Sequence, residues 1–120
     1  MFAVAADPSR NLLEMKFVGR VTPDELQSEM GHVHELLLTL KPGFRLLTDL
    51  SAMTEMDLGC RPIIDGMMDT LNRECIGKVV RLIPDPAKDI GFGIMSLFHY
   101  REAVRVITCE TEAEARQALA

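Results

Sequence analysis

The residues best suited to chemistry lie close together, between Asp49 and Asp57 of the 120-residue chain. An apolar segment of strand length, residues 44–50, ends here in an acidic and hydroxyl-bearing stretch that includes Ser51 and Thr54. Carboxylates can bind a cation, and hydroxyl groups can accept a phosphoryl group. In open α/β proteins, functional groups collect where a strand passes into a helix. This strand-to-helix junction is therefore the candidate site.

One hypothesis for the junction is a phosphate-accepting receiver with Asp49 at the end of a central strand. Such a receiver holds Mg²⁺, which prefers several oxygen ligands, and here only Asp7 lies near the place after the first strand. A receiver also needs a lysine after its last strand, where residues 108–110 are threonine, cysteine and glutamate. It further needs two helices before the phosphorylated strand, and this chain shows one. The pattern therefore disfavours a receiver.

Other signals of catalysis or metal binding are weak. His32 and His34 are two residues apart on a predicted helix, so they face different directions. The three cysteines, Cys60, Cys75 and Cys109, form no C-x-x-C pair, and we expect them to be buried apolar side chains. No nucleophile elbow, dinucleotide fingerprint or P-loop occurs. We predict no catalytic residues, no metal and no cofactor, and hence a protein that is not an enzyme.

The composition indicates one globular domain that spans residues 1–120. Apolar residues make up 48% of the chain, which is enough for a core. Thirteen basic and eighteen acidic residues give a net charge of -5, so nucleic-acid binding is not expected. No apolar run approaches the ~20 residues of a membrane span, and the N-terminus lacks the pattern of a signal peptide. We expect a cytoplasmic protein.

Hydrophobic periodicity predicts alternating strands and helices. Strands are predicted at residues 2–5, 12–18, 45–50, 78–83 and 104–108. Helices are predicted from Thr22 to Leu40, from a start between Asp57 and Pro62 to Gly77, weakly over 88–99, and from Thr111 to Leu119. The order is β-β-α-β-α-β-α-β-α. It predicts an α/β fold with a mixed, mostly parallel sheet, an N-terminal β-hairpin and four helices.

This order resembles a STAS domain, the fold of anti-sigma-factor antagonists and of sulfate-transporter tails. More closely, the chain is similar to the SpoIIAA-like family of small uncharacterised bacterial proteins. The resemblance extends over nearly the whole chain and rests on Gly19-Arg20-Val21-Thr22, Leu46-Leu47-Thr48-Asp49-Leu50-Ser51, Met56-Asp57-Leu58-Gly59, and the segment from Val104-Arg105-Val106 to Glu112-Ala113. It implies a single STAS-like domain.

The resemblance also implies where a regulatory phosphate would be placed. Antagonists of this kind carry an Asp-Ser-Ser-Gly motif whose serine is phosphorylated. Aligned with this chain, the aspartate falls on Asp57 and the two serines fall on Leu58 and Gly59, neither of which has a hydroxyl group. We therefore predict no phosphorylation at the junction helix, and we expect Ser51 and Thr54 to form turn and cap hydrogen bonds.

The chain is rich in methionine, with eight Met and no Trp. Met53 and Met56 fall in the predicted junction loop, Met67 falls on the second helix, and Phe92 falls on the third. Thioether side chains adapt their shape, which suits them to binding surfaces. An ordinary core position is the alternative, and for Met67 it is the more common case.

Two classes of function remain open from the sequence. The first is a non-catalytic interaction or regulatory module that docks a protein, or its own copy as a homodimer. The alternative is a carrier of a small apolar ligand held between the second and third helices and the sheet. The candidate surface for either is Asp49, Ser51, Met53, Thr54, Met56, Asp57, Leu58, Gly59, Met67 and Phe92.

Overall fold

The computed structural model describes residues 1–83 and 104–120. Its strands are Phe2–Asp7 (β1), Leu12–Val21 (β2), Arg45–Met56 (β3), Lys78–Leu82 (β4) and Arg105–Cys109 (β5). Three α-helices occur in these residues: Pro23–Leu37 (α1), Arg61–Arg73 (α2) and Glu112–Leu119 (α3). The helix predicted over 88–99, together with Phe92, lies outside the described residues. Within the described ranges, no helix is long and apolar enough to cross a membrane.

The five strands form one sheet in the order β1-β2-β3-β4-β5. β1 is antiparallel to β2, and every other neighbouring pair is parallel. The α/β class, the mixed sheet and the N-terminal antiparallel pair are therefore confirmed. The parallel pairs are those that the strand-helix alternation predicted, since parallel neighbours need a crossover connection.

The first helix begins where the sequence predicted and ends earlier. The Thr22 side chain accepts a hydrogen bond from the Glu25 backbone N–H at 3.4 Å, which caps α1. The prediction that the helix reaches Leu40 is wrong, because α1 ends at Leu37. From Leu38 onward the backbone N–H groups bond to carbonyls three residues back, so the chain tightens out of α geometry.

The helices cover the two faces of the sheet unequally. The face packed against α1 and α2, here called the α1–α2 face, carries the larger core, in which Phe17 and Leu46 are fully buried. The opposite face, here called the α3 face, has a small core of Leu12, Val80, Cys109, Ala115 and Leu119. These two cores contain 22 and 5 of the described residues. Most of the buried apolar residues that the structure describes thus lie on one side of the sheet.

The buried cysteines divide between the two cores, and one predicted buried cysteine is exposed. Cys60 is in the larger core and Cys109 in the smaller. Cys75 is exposed, so its predicted burial is wrong. The reason is that α2 ends at Arg73 and Cys75 adopts a left-handed turn with φ of 64°, which takes it off the apolar stripe of the helix.

Candidate functional site

The junction differs from its sequence prediction because β3 is longer than the apolar run. We predicted a strand ending at Leu50 and a loop to Asp57, and instead β3 continues to Met56. Asp49 is the last β3 residue paired with β4, so it ends the four-stranded parallel part of the sheet but not its own strand. Beyond Asp49, β2 is the only described strand that pairs with β3.

The extension of β3 was hidden in the sequence by two irregularities. Lys16 pairs with Asp49, but Val18 pairs with Ala52, so β3 has one extra residue here. A second shift lies opposite Gly19 and Arg20. Each extra residue breaks the period-two alternation by which a strand is recognised. This segment therefore had the pattern of a loop.

The predicted methionine surface is largely internal. Met56 is 9% exposed and belongs to the larger core, and Met67 is 3% exposed. Met53 is half-buried against the same core. The expectation that Met53 and Met56 lie in an open loop is wrong, because both are in β3 with their side chains on the covered face. Thr54, between them, is exposed.

Asp49 and Ser51 are held together away from the junction turn. The Ser51 hydroxyl and backbone N–H both donate to Asp49 Oδ1, at 2.5 and 2.9 Å. This is a local side-chain-to-backbone turn of the kind we predicted for Ser51, and it lies within a strand. Asp49 lines a groove of about 340 Å³ beside α3, together with Glu14, Lys16 and Arg116.

The structure does bring Asp57, Leu58 and Gly59 together, in a tight turn between β3 and α2. A single 3₁₀ turn, Leu58–Cys60, leads directly into α2. The Asp57 backbone N–H donates to the Val21 carbonyl at 3.1 Å, and the Cys60 N–H donates to the Asp57 carbonyl at 2.9 Å. The first hydrogen bond thus connects the turn to the end of β2, and the second closes the turn itself.

An arginine that the sequence analysis did not include in the site holds this turn. Arg20 donates from Nε to Asp57 Oδ1 at 2.9 Å and from Nη2 to Oδ2 at 3.0 Å. Its Nε also lies 3.2 Å from a Glu55 carboxylate oxygen. The hydrogen bonds and the two carboxylates raise the pKa of Arg20 above its usual value. A basic residue at the end of β2, where parallel pairing places it beside Glu55, was the signal available in the sequence.

Close packing also positions the turn against α1. A Cβ atom on Gly59 would lie 2.8 Å from Pro23 Cγ, so a side chain there would displace the turn or the first residue of α1. Cys60 is fully buried beneath the turn, and its Sγ lies 3.5 Å from the Val21 carbonyl oxygen. Burial, and then the charge of Asp57, raise the pKa of the Cys60 thiol. The thiol therefore stays protonated and is a poor nucleophile.

Leu58 is the apolar side chain that this arrangement leaves outside. It is 89% exposed, more than any other large hydrophobic residue described. In the sequence Leu58 stood out as the replacement of a serine, whereas its exposure is visible only in the structure of the turn. The turn thus presents one exposed apolar side chain next to Asp57, which Arg20 contacts together with Glu55.

An apolar groove of about 390 Å³ lies between α1 and α2, and α2 starts three residues after Leu58. None of the residues that line it is acidic, and none is a lysine or an arginine. The lining residues are Gln27, Met30, Val33, His34, Pro62, Ile63, Gly66, Met67 and Thr70. Gly66 lies inside α2, and a Cβ atom there would meet nothing within 4 Å. A mid-helix glycine costs about 1 kcal/mol against alanine and here leaves the groove open.

Within the described ranges, no cluster of three or more His, Cys, Asp or Glu side chains is placed to hold a metal ion. His32 pairs with Glu29 at 3.2 Å, and His34 lines the α1–α2 groove instead. Burial raises the pKa of the Cys109 thiol, as it does for Cys60. What the described residues offer at the junction is a recognition surface of apolar and charged groups.

Solved structures with the same architecture share little sequence with this chain. An uncharacterised DUF3478-family protein with a SpoIIAA-like fold from Shewanella loihica PV-4 gives a TM-score of 0.73 at 12% identity, covering 100% of this chain and 93% of that one. The anti-sigma factor antagonist SpoIIAA in its unphosphorylated form gives 0.65 at 15% identity, with 99% and 97% covered. The Bacillus cell fate determinant SpoIIAA in the phosphorylated form gives 0.66 at 15% identity, with 100% of both chains covered.

Neither a protein-family model nor a curated protein matches the chain. At 12–15% identity, the structural similarity establishes the fold alone. It extends over 99–100% of the chain, and it agrees with the element order found in the sequence. The chain has the SpoIIAA-like fold, a member of the STAS-like architecture.

Proposed function

We propose that this chain is a non-catalytic protein-interaction module that binds a protein partner at the junction turn, residues 57–60. The observation that carries the proposal is Leu58, a large apolar side chain 89% exposed on a turn held in place from two sides. Burying a leucine fully contributes about 1.5–3 kcal/mol to binding. A residue so exposed contributes almost nothing to the fold, so a partner that covers it gains the full free energy of its burial.

The rigidity of the turn supports this function. Two hydrogen bonds from Arg20 hold Asp57, and Gly59 is packed against Pro23. A surface that is already ordered pays little conformational entropy when a partner binds. Leu58 therefore acts as a pre-positioned anchor, and the α1–α2 groove beside it offers further apolar area through Pro62 and Ile63.

The likeness to SpoIIAA supports a regulatory setting for such binding. That protein is an anti-sigma factor antagonist that exists in phosphorylated and unphosphorylated forms. By the motif alignment, its phosphorylated serine corresponds to Leu58 or Gly59, which cannot accept phosphate. We infer an interaction that is not switched by phosphorylation at the junction helix, so that partner availability sets the occupancy of the surface.

The rim of the surface points to the chemistry of the partner. Glu55 and Asp57 both lie beside Arg20, and the whole chain carries a net charge of -5. Complementary charges at a rim favour encounter and select partners. We propose a partner that presents an apolar side chain to Leu58 and basic residues to Glu55 and Asp57.

A second candidate function is the transport of a small apolar ligand. The predicted position, between the second and third helices, involves residues outside the described part of the chain. The α1–α2 groove is a different place for it, with an apolar lining that includes Met30, Ile63 and Met67. Its volume of about 390 Å³ lies in the range of ligand sites. The absence of enzymatic activity, the cytoplasmic location and a homodimer remain predictions.

A matched pair of variants tests the docking surface. Leu58→Asp places a charge at the centre of the surface, whereas Leu38→Asp places the same charge on an 87%-exposed leucine after α1. Both side chains are outside the core, so both variants should keep the thermal stability of the wild type. Proteins captured by the wild type from the native cell are identified, and binding of a purified partner is measured by calorimetry.

We expect Leu58→Asp to weaken the purified complex at least tenfold, since the lost burial is worth about 1.5 kcal/mol or more. Leu38→Asp should bind within twofold of the wild type. Equal binding by wild type and Leu58→Asp would show that the junction turn is not the site. Loss of a bound apolar molecule on Gly66→Leu, with partner binding unchanged, would instead favour the ligand-carrier function.

A further inference from the structure

None of the described strands pairs with the outer edge of β1, and the pairing with β2 defines which backbone groups point outward there. The Val18 backbone N–H donates to the Met1 carbonyl at 2.8 Å, which makes Met1 and Val18 a hydrogen-bonded pair. In an antiparallel ladder, hydrogen-bonded pairs alternate with non-hydrogen-bonded pairs. The backbone N–H and C=O groups of Ala3 and Ala5 therefore point toward β2. The N–H and C=O groups of Phe2, Val4 and Ala6 therefore point outward.

This edge lacks the features by which proteins protect exposed strands. Charged residues make up 26% of the chain, yet residues 2–6 contain none, and they contain no proline. β1 also pairs with β2 in unbroken register, without a bulge. An unprotected, uncharged edge readily pairs with another strand. A partner strand is thus the simplest reason for its composition.

We propose that two copies of this chain pair along β1, antiparallel and around a two-fold axis at Val4. Val4 then faces Val4 of the partner subunit, and Phe2 faces Ala6 of the partner subunit. Three such pairs supply about six backbone hydrogen bonds, and the two sheets join into one. The inference does not depend on the proposed function, since no residue of the junction turn takes part.

The charges beside the edge are complementary in this arrangement. Lys16 lies next to Ala3, and Glu14 lies next to Ala5, on the α3 face. With the two-fold axis at Val4, four residues lie side by side in a row across the joined sheets. They are Lys16 and Ala3 of one subunit, followed by Ala5 of the partner subunit and Glu14 of the partner subunit. Across three strand spacings the row spans about 14 Å, most of which extended lysine and glutamate side chains cover.

Two features make this row suitable for an ion pair between subunits. Ala3 and Ala5 are exposed and small, so nothing on them separates the charged groups. Among the described residues, neither Lys16 nor Glu14 forms an ion pair within 4.0 Å. The same row occurs twice by symmetry. A second copy of this chain therefore matches the edge in its backbone hydrogen bonding and in the signs of these charges.

The first experiment places lysines on the edge. In Ala3→Lys/Ala5→Lys, the new side chains are exposed in the monomer but lie directly opposite each other in the dimer. The control, Ala52→Lys/Thr54→Lys, adds the same charge at exposed positions of β3. Sedimentation equilibrium at several protein concentrations should show a dimer for wild type and control. The edge variant should raise the dimer dissociation constant at least tenfold.

The second experiment exchanges the charges and needs no change in β1. Lys16→Glu and Glu14→Lys should each raise the dissociation constant about threefold, since exposed ion pairs are weak. The double variant should return to within twofold of the wild type, because the exchange restores both rows. A structural effect on β2 would not be reversed in this way. Additive losses in the double variant would contradict the proposed register.

Amide exchange gives a residue-level outcome that is independent of any variant. The amides of Val4 and Ala6 should exchange more slowly as the protein concentration rises, and those of Ala3 and Ala5 should not change. If the wild-type protein stays monomeric at millimolar concentration, the proposal is overturned. The edge would then be a site for a strand of another protein. A dimer in which Val4 exchanges at the monomer rate also overturns the proposal.

Discussion

The two faces of the sheet differ in how they are covered, although the same strands form both. On the α1–α2 face two helices bury a continuous apolar layer, with Phe17 and Leu46 at its centre. On the α3 face one short helix of the described residues covers the β3–β5 part, and Ala3, Ala5 and Lys16 remain exposed. Neighbouring residues of one strand therefore lie in quite different environments.

This difference separates the stabilising part of the molecule from the parts free to bind. Burial contributes to stability in proportion to the apolar area removed from water, so the α1–α2 face carries most of the stability. The α3 face and the β1 edge carry exposed charges and unpaired backbone groups at little cost to the fold. The junction turn takes its rigidity from the covered face while Leu58 projects from it.

The largest effect is expected from opening a cavity in the larger core. Phe17→Ala should destabilise the protein by about 3–5 kcal/mol, because Phe17 is fully buried and packs on Phe2 at a centroid distance of 4.9 Å. Lys16→Ala changes the next residue of the same strand, on the other face, and should cost less than about 0.5 kcal/mol. Chemical denaturation measures both. Similar values for the two variants would contradict the unequal burial.

A smaller effect is expected in the minor core. Leu119→Ala should cost about 2 kcal/mol, at the low end for buried leucines, because only five described residues form this core and they can relax around the gap. The loss should be local: amide protection should fall in α3 and remain unchanged in α1. Hydrogen exchange read by mass spectrometry tests this. Equal loss of protection in both helices would show that the two cores unfold together.

The alkylation rates of the two buried cysteines allow the two faces to be compared within one wild-type sample. Burial raises the pKa of both Cys60 and Cys109, so in the folded protein each thiol is protonated and must be exposed by opening before it reacts. We expect Cys75, which is exposed, to react first. Cys109 should then react about tenfold faster than Cys60, since its core is smaller. Peptide mapping after timed alkylation gives each rate, and a faster Cys60 would reverse the assignment of the more stable face.

The smallest effect on stability is expected at the junction. Arg20→Lys removes the bidentate hydrogen bonding to Asp57 and should leave the thermal stability nearly unchanged, because the pair is exposed. The Cys60 amide, which bonds to the Asp57 carbonyl, should exchange several-fold faster. Arg105→Lys, on an exposed arginine of β5, is the control. Unchanged exchange at Cys60 would show that Arg20 does not hold the turn.

Strong local patterns in the sequence were reliable guides to the fold. Alternation in β2 predicted which side chains are buried, and the capping pattern at Thr22 placed the start of α1. These features depend on contacts between residues close in sequence, so one short segment contains the whole signal. The predicted C-terminal end of α1 was less accurate, because the apolar stripe continues past Leu37 while the backbone has already left α geometry.

The location of the functional site stays a prediction, and the structure corrects the placement of two of its residues. Met53 and Met56 belong to β3 and pack on the larger core, whereas the prediction placed them in a loop. The extra residues opposite β2 disturb the alternation, and only the pairing with β2 shows that the segment is still a strand.

The sequence alone determined the α/β class, the antiparallel first pair of strands and the parallel order that follows. These properties are set by local periodicity, capping and turn residues, which act over a few positions. Only the tertiary structure decided that Arg20 clamps Asp57, that Gly59 packs on Pro23 and that Leu58 is left outside. The contacts of Arg20 with Asp57 and of Gly59 with Pro23 join residues 36 or more positions apart. Their geometry depends on register and packing between elements.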